Sequence, residues 1–309
     1  MRTAVYRREA GLFSLALIGL LLAASWAAFS LTRWAPALGV EGTTASLAGP
    51  RAARITYRHP AADGSFVSLD LARQSVRLFT GQDGLALEGG LERGPFGPGS
   101  YAIYYLESAA GGAGQQTYRI DARSGEVLEM TRFDLLGGPD SANRLTPLEA
   151  EARAERFVAN RFLGFSTLSL VERTVAPAAN GNQLYVFKWA MIAAESGAEL
   201  PTSVTVSVSS ASGEVVWYLA QRDSTDVDAR PAIPRETAIA TAAVLVDRGG
   251  LWDARAPTSV RLQVIYNQEN RQQLVWAIVF PSKPDAAPDR PSLRILIDAK
   301  IGEPVSTPS

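Results

Sequence analysis

The sequence predicts an α+β chain: an N-terminal transmembrane helix, then repeated modules that each lay one helix on an antiparallel sheet. Three observations carry this expectation. First, the stretch Asp121-Ala122-Arg123-Ser124-Gly125-Glu126-Val127 recurs as Ser209-Ser210-Ala211-Ser212-Gly213-Glu214-Val215. It recurs again, worn, as Asp298-Ala299-Lys300-Ile301-Gly302-Glu303-Pro304-Val305, and the three glycines are 88 and 89 residues apart. Second, Pro147 and Pro234 lie 87 residues apart, each followed two residues later by Glu (Glu149, Glu236), and Trp189 and Trp276 share that spacing. Landmarks that recur together at one period mark a duplicated module. Third, residues 11–31 run for 21 residues without a charge, enough as a helix to cross the ~30 Å hydrocarbon core of a bilayer.

The N-terminus comes first in the chain. Residues 1–10 form a basic stub, with Arg2, Arg7 and Arg8 against Glu9. The excess of arginine before the apolar run places the N-terminus in the cytoplasm and residues 35 onward outside. A secretory h-region is about 7–15 residues long, so the longer run is expected to stay as an uncleaved anchor. Small residues at Ala23, Ala24, Ser25 and Ala27 leave cleavage open. No cysteine follows the run, which excludes a bacterial lipoprotein anchor. Residues 35–53, rich in Gly, Ala, Thr and Pro, read as a linker.

A first, β-rich unit is expected over 54–136. Phe66–Leu71 and Ser75–Phe79 read as short strands, with Phe66, Leu69, Leu71, Val76 and Leu78 available for a core. Leu91–Ser100 reads as a turn-rich loop, Ser100–Leu106 and Gln116–Ile120 as strands, and Gly111–Gly114 as a hairpin tip. No helix is evident at the repeat position, so the unit is either a degenerate repeat or a separate β-rich element.

The second unit, 145–222, is the clearest. Thr146-Pro147-Leu148-Glu149 is a capping box with Pro at the first helical position. Ala150, Ala154, Phe157, Val158 and Phe162 follow on one helical face, and Gly164 ends the helix. Strands are expected at 168–175, 184–192, 202–209 and 214–219. Tyr185, Phe187, Trp189 and Met191 alternate with Val186, Lys188 and Ala190, the pattern of a half-buried strand packed on the helix. A peptide- or glycan-binding aromatic groove is the alternative.

The third unit, 232–305, repeats the plan. Ile233 stands where a capping residue would, so this helix start is weaker. Ile239, Ala242, Ala243 and Val246 recur at i, i+3, i+4, i+7, and Gly249-Gly250 stops the helix. Strands are expected at 259–266, 273–280 and 292–298, with the proline-rich 281–291 as a loop.

In each copy of the turn, Asp or Ser at the entry can accept backbone N–H groups, and Gly supplies the positive φ of a hairpin bulge. A strand, the pattern D-x-x-[ST]-G-E-[VIL], and a second strand, with an amphipathic helix upstream, resemble the PepSY domain and the related YcdB/YcdC repeat. The matching residues are Asp121, Ser124, Gly125, Glu126 and Val127, then Ser212, Gly213, Glu214 and Val215. The third copy keeps Asp298, Gly302 and Glu303. The resemblance covers most of residues 101–305. It implies a helix packed on an antiparallel sheet, a place outside the cytoplasm, often a membrane tether, and binding or peptidase restraint without catalytic residues.

Composition narrows the chemistry. A net charge of −1, from 30 basic and 31 acidic residues, lacks the basic surface of a nucleic-acid binder. With no cysteine and one histidine, His59, thiolate sites, cysteine nucleophiles and multi-histidine zinc motifs are excluded. The loop around residues 91–100 lacks the G-K-[ST] of a phosphate loop. A Ser-Lys dyad would have to draw on Lys188, Lys283 or Lys300, and none has a signature beside it. Asp121 and Glu126 supply too few oxygens for a calcium loop. The expectation is a non-catalytic, membrane-tethered, extracytoplasmic binding or regulatory protein, with residues 11–31 in the membrane, no cofactor, no metal and no nucleic acid. Its partner would be a peptidase or another envelope component. The alternatives are an accessory subunit of a transporter or sensor-kinase complex, or an envelope hydrolase.

Overall fold

The computed structural model describes residues 66–93, 102–108, 115–132, 145–177, 182–249, 252–267, 269–283 and 292–305. The anchor, the linker, His59, the Gly111–Gly114 tip and most of the proline-rich loop lie outside them. Among the described residues, no helix is long and apolar enough to cross a membrane.

The first unit departs from expectation. Leu69–Thr80 is a helix, α1, rather than two strands. Ser68 caps it by accepting the Leu71 N–H at 3.2 Å, and Gly81 closes it with φ at 71°. Ala72, Val76 and Phe79 are its buried positions, at i, i+4 and i+7, while Leu78 is 49% exposed. The alternation of Leu69, Leu71, Val76 and Leu78 mimics a strand period, and it hides the helix because Ala72 weighs little as an apolar signal. Four antiparallel strands follow: β1 (Leu87–Arg93), β2 (Ala102–Ser108), β3 (Gln116–Asp121) and β4 (Val127–Arg132). Leu91–Arg93, expected as loop, belong to β1.

The second unit begins with α2 (Pro147–Ala159), whose capping box forms as expected, with both reciprocal hydrogen bonds present. The helix ends at Asn160, ahead of Gly164. Phe162 therefore lies past the helix, yet is 2% exposed. The strands are β5 (Ser169–Pro177), β6 (Gln183–Ile192), β7 (Glu199–Ser209) and β8 (Val215–Gln221). The third unit has α3 (Arg235–Gly249) and only three strands, β9 (Ser259–Tyr266), β10 (Gln272–Phe280) and β11 (Leu293–Asp298).

The internal repeat is visible in the backbone. At each turn the entry residue donates its N–H to the Glu carbonyl: Asp121 to Glu126, Ser209 to Glu214, Asp298 to Glu303. Gly125, Gly213 and Gly302 hold φ at 75°, 70° and 80°, the left-handed region a Cβ disfavours. The next residue, Ala122, Ser210 or Ala299, is fully buried. It donates to Ala102, Gln183 or Leu274 and accepts from Val67, Leu145 or Ile233 just before the helix. Two residues after that acceptor, a ring on the second strand reaches the same pre-helix carbonyl. Tyr104 Oη donates to Val67 O, Tyr185 Oη to Leu145 O at 2.9 Å, and Trp276 Nε1 to Ile233 O at 2.9 Å.

This latch corrects two landmarks. Trp276 is the counterpart of Tyr185 and Tyr104, not of Trp189, whose own counterpart is Phe280 four residues further on. Likewise Arg235, not Pro234, corresponds to Pro147, since Thr146 and Pro234 both sit at the N-cap. The tryptophans and prolines share a spacing by coincidence. The turn glycines mark the true repeat.

The first two units share one sheet, in the order β1-β2-β3-β4-β8-β7-β6-β5. They join where β4 meets β8 antiparallel, with Met130 opposite Tyr218 and Glu129 and Thr131 opposite Leu219 and Trp217. Met130 and Tyr218 each lie five residues past their turn glycine (125 to 130, 213 to 218), so the junction is a local two-fold. Both helices lie over one continuous core. Phe79, Phe157 and Tyr218 stack there with centroids 5.0–5.9 Å apart. The third unit has its own core under α3. It touches the second through a single parallel bridge, Glu199 to Gln263, and through Arg261, which pairs with Glu172 at 3.1 Å and Glu199 at 3.3 Å.

Candidate binding surfaces

The residues singled out in the sequence fall mostly into structural roles. Asp121 spends its carboxylate on its own turn, accepting the N–H groups of Arg123 (2.9 Å) and Ser124 (2.7 Å) and the Ser124 hydroxyl (3.0 Å). Glu126 reaches across to Arg222. Burial pushes the Glu126 carboxyl up, and Arg222 only partly offsets this. Tyr185, Phe187 and Trp189 are 7%, 2% and 5% exposed, so the aromatic face is core rather than groove. Lys188 pairs with Glu199 at 3.1 Å, and Lys300 with Asp228 at 2.7 Å. Among the described residues, no group of three or more His, Cys, Asp or Glu side chains converges on a metal position.

Two surfaces remain, and neither was legible beforehand. The first is the outer edge of β1. This strand pairs with β2 along all seven residues, Leu87 to Ser108 through Arg93 to Ala102, and among the described residues it pairs with nothing on its other side. The direction of its groups follows from the neighbours. The Ala102 carbonyl accepts from Ala122, so it faces β3. By alternation, Ile103, Tyr105 and Glu107 face β1, and their partners Glu92, Gly90 and Glu88 face back. Gly89 and Leu91 therefore present their N–H and C=O groups outward. The opposite end of the sheet, β5, is partly covered, since Arg261 Nη1 reaches Val171 O at 3.5 Å.

The second surface is a cleft of about 330 Å³ at the junction of the first two units. Its floor is apolar, formed by Phe79, Met130, Phe157 and Val215. Its walls carry Arg132, Arg153, Arg156 and Arg161 against one carboxylate, Glu214. The positions have physical causes. Arg153 and Arg156 sit three residues apart on α2, hence on one face. Arg153 donates to Gly213 O at 3.1 Å. Arg161, just past the helix, donates to Phe79 O at 2.7 Å and lies 3.9 Å over the Phe157 ring. Arg132, at the end of β4, pairs with Glu214. The residues come from four separate stretches of chain, so no local motif announces them.

No family model and no curated protein matches the chain. Among solved structures, the chain is similar to the C-terminal domain of Bacillus megaterium YpeB. The identity is 21% and the TM-score 0.47, over 79% of this chain and 97% of that one.

Proposed function

We propose that this is a non-catalytic binding protein, tethered to the cell membrane by residues 11–31, that holds an extended segment of a peptidase or another envelope component outside the cytoplasm. The uncharged run and the arginines before it support the tether and its orientation. The resemblance to PepSY-type repeats supports restraint of a peptidase as the consequence. The observation that carries the reading is the open edge of β1. An extended partner adds a strand to such an edge through main-chain hydrogen bonds, with modest demands on its sequence.

The test removes one outward donor. Leu91→Pro deletes an N–H that faces away from β2, whereas Leu91→Ala keeps it. Leu91 is 37% exposed, so neither change opens the core. The full chain in detergent is used as bait for envelope proteins, with a thermal melt to confirm folding. The expected result is a peptidase or envelope protein retained by the wild type and by Leu91→Ala, and lost with Leu91→Pro. Equal retention by a folded Leu91→Pro variant refutes strand addition at β1.

A further inference from the structure

We propose that the arginine-walled cleft between the first two units is a binding site for an acidic peptide segment, one carrying carboxylates beside an apolar side chain. The charge balance comes first. Four guanidinium groups line the cleft against one carboxylate, three positive charges in excess on a chain whose net charge is −1. Such an excess, gathered in a concave surface, raises the local potential and draws anions to it.

The arrangement is held in place before any ligand arrives. Arg161 is fixed by the Phe79 carbonyl and the Phe157 ring. Arg153 is fixed by Gly213 O. Each keeps further N–H donors, because a guanidinium offers five. Arg156 is exposed and, among the described residues, makes no hydrogen bond or ion pair. A preset fork of donors suits the planar carboxylate. The cleft already shows this chemistry once, in the pair of Arg132 with Glu214.

The floor selects the rest of the ligand. Phe79, Met130, Phe157 and Val215 give it an apolar base, which a bare inorganic anion cannot use and an apolar side chain next to an acidic one can. A volume of about 330 Å³ is at the small end of ligand pockets, roughly 300–1,000 Å³. It takes one or two side chains, not a folded surface. The cleft spans both modules, so a bound segment touches the helix end of one and the turn of the other. The site lies on the helix side of the β4–β8 junction, three strands from β1. It does not depend on the β1 reading, and Leu91→Pro leaves it intact.

The test uses the full chain in detergent and a fluorescently labelled hexapeptide of alternating glutamate and leucine, read by anisotropy. Saturable binding that weakens with added salt is expected. Arg156→Glu should weaken it by about tenfold or more, and this exposed residue has no structural partner to lose. Arg156→Gln should have a smaller effect. The same peptide with glutamine for glutamate should not bind. No saturable binding, or unchanged binding with Arg156→Glu, overturns the proposal. Displacement of the peptide by inorganic phosphate or glycerol phosphate at concentrations similar to its own also overturns it, since the site would then be one for a bare anion or a lipid headgroup.

Discussion

The latch between the second strand and the pre-helix carbonyl gives the most direct test of the repeat. Tyr185→Phe removes one hydroxyl and leaves the ring, which is 7% exposed, in its place. The Leu145 carbonyl, 2.9 Å from that hydroxyl, loses its donor just before the α2 N-cap. Losing one partner of a part-buried hydrogen bond costs ~1–2 kcal/mol. For a folded region of this size that lowers the melting temperature by roughly 2–4 °C per kcal/mol. Tyr104→Phe should cost about the same, and the pair should add, because the two latches share no partner. Trp276→Phe loses the bond to Ile233 O. Trp189→Phe loses ring volume only, since among the described residues its ring nitrogen donates to nothing. Urea unfolding gives the stabilities, and amide exchange at the first turn of each helix gives the local effect. Faster exchange at the start of α3 is expected for Trp276→Phe, and no change at the start of α2 for Trp189→Phe. A cost below about 0.3 kcal/mol for Tyr185→Phe, well under the expected range, would refute the latch. So would a Trp189→Phe variant that opens α2 as Trp276→Phe opens α3.

Two further outcomes follow from local geometry. Gly213 and Gly197 both hold φ near 70°, but a Cβ at Gly213 meets Arg153 Nη1 at 2.0 Å and Leu145 Cδ1 at 2.6 Å, while one at Gly197 meets nothing within 4 Å. Gly197→Ala should therefore cost only the left-handed strain, about 1–2 kcal/mol, and Gly213→Ala at least ~1 kcal/mol more for the displaced side chains, measured by urea unfolding. The Glu149 carboxyl is held below its ordinary value of 4.5, first by the Thr146 backbone N–H and then by the Thr146 hydroxyl. A lowered folded value means the contribution is present above that ordinary value and is lost as pH falls through the folded one. The stability gap between wild type and Glu149→Gln should thus be open at pH 7 and close in acid, as seen in melts across pH; a gap that widens in acid contradicts the capping account.

The second module was legible because its signals act locally. Thr146, Pro147 and Glu149 specify a helix start through bonds within four residues, and the alternation from Tyr185 to Met191 specifies a strand with one buried face. The helix of the first module was not legible. Its cap is a lone Ser68, and its core contacts are Ala72, Val76 and Phe79, of which only the last two look apolar enough to count. The equivalence of Trp276 with Tyr185 was hidden for a different reason. The shared job is donation to a carbonyl, which a phenol and an indole perform equally well, so chemistry is kept where residue type is not. The candidate surfaces were the least visible. The cleft gathers side chains from α1, β4, α2 and the β7–β8 turn, and the open edge of β1 is a fact of topology that no residue type announces.

The same turn has different consequences in the three modules, and the difference lies in one residue. After the first two turns, Val127 and Val215 pair with Ile120 and Val208 and lead into full strands, which then close against each other as β4 and β8. After the third, Pro304 bridges Ile297 at the equivalent position, and Val305 donates to Leu296. Proline lacks the N–H that a ladder requires, and among the described residues the fourth strand goes no further. The first two modules thus spend their fourth-strand edges on each other. Their helices are brought together over one core, and the arginine cleft forms where the α1 end meets α2. A strand-forming residue at 304 alone would not restore such a junction to the third module, because the closure needs two fourth strands. This is why the cleft occurs at the one place where two complete modules face each other.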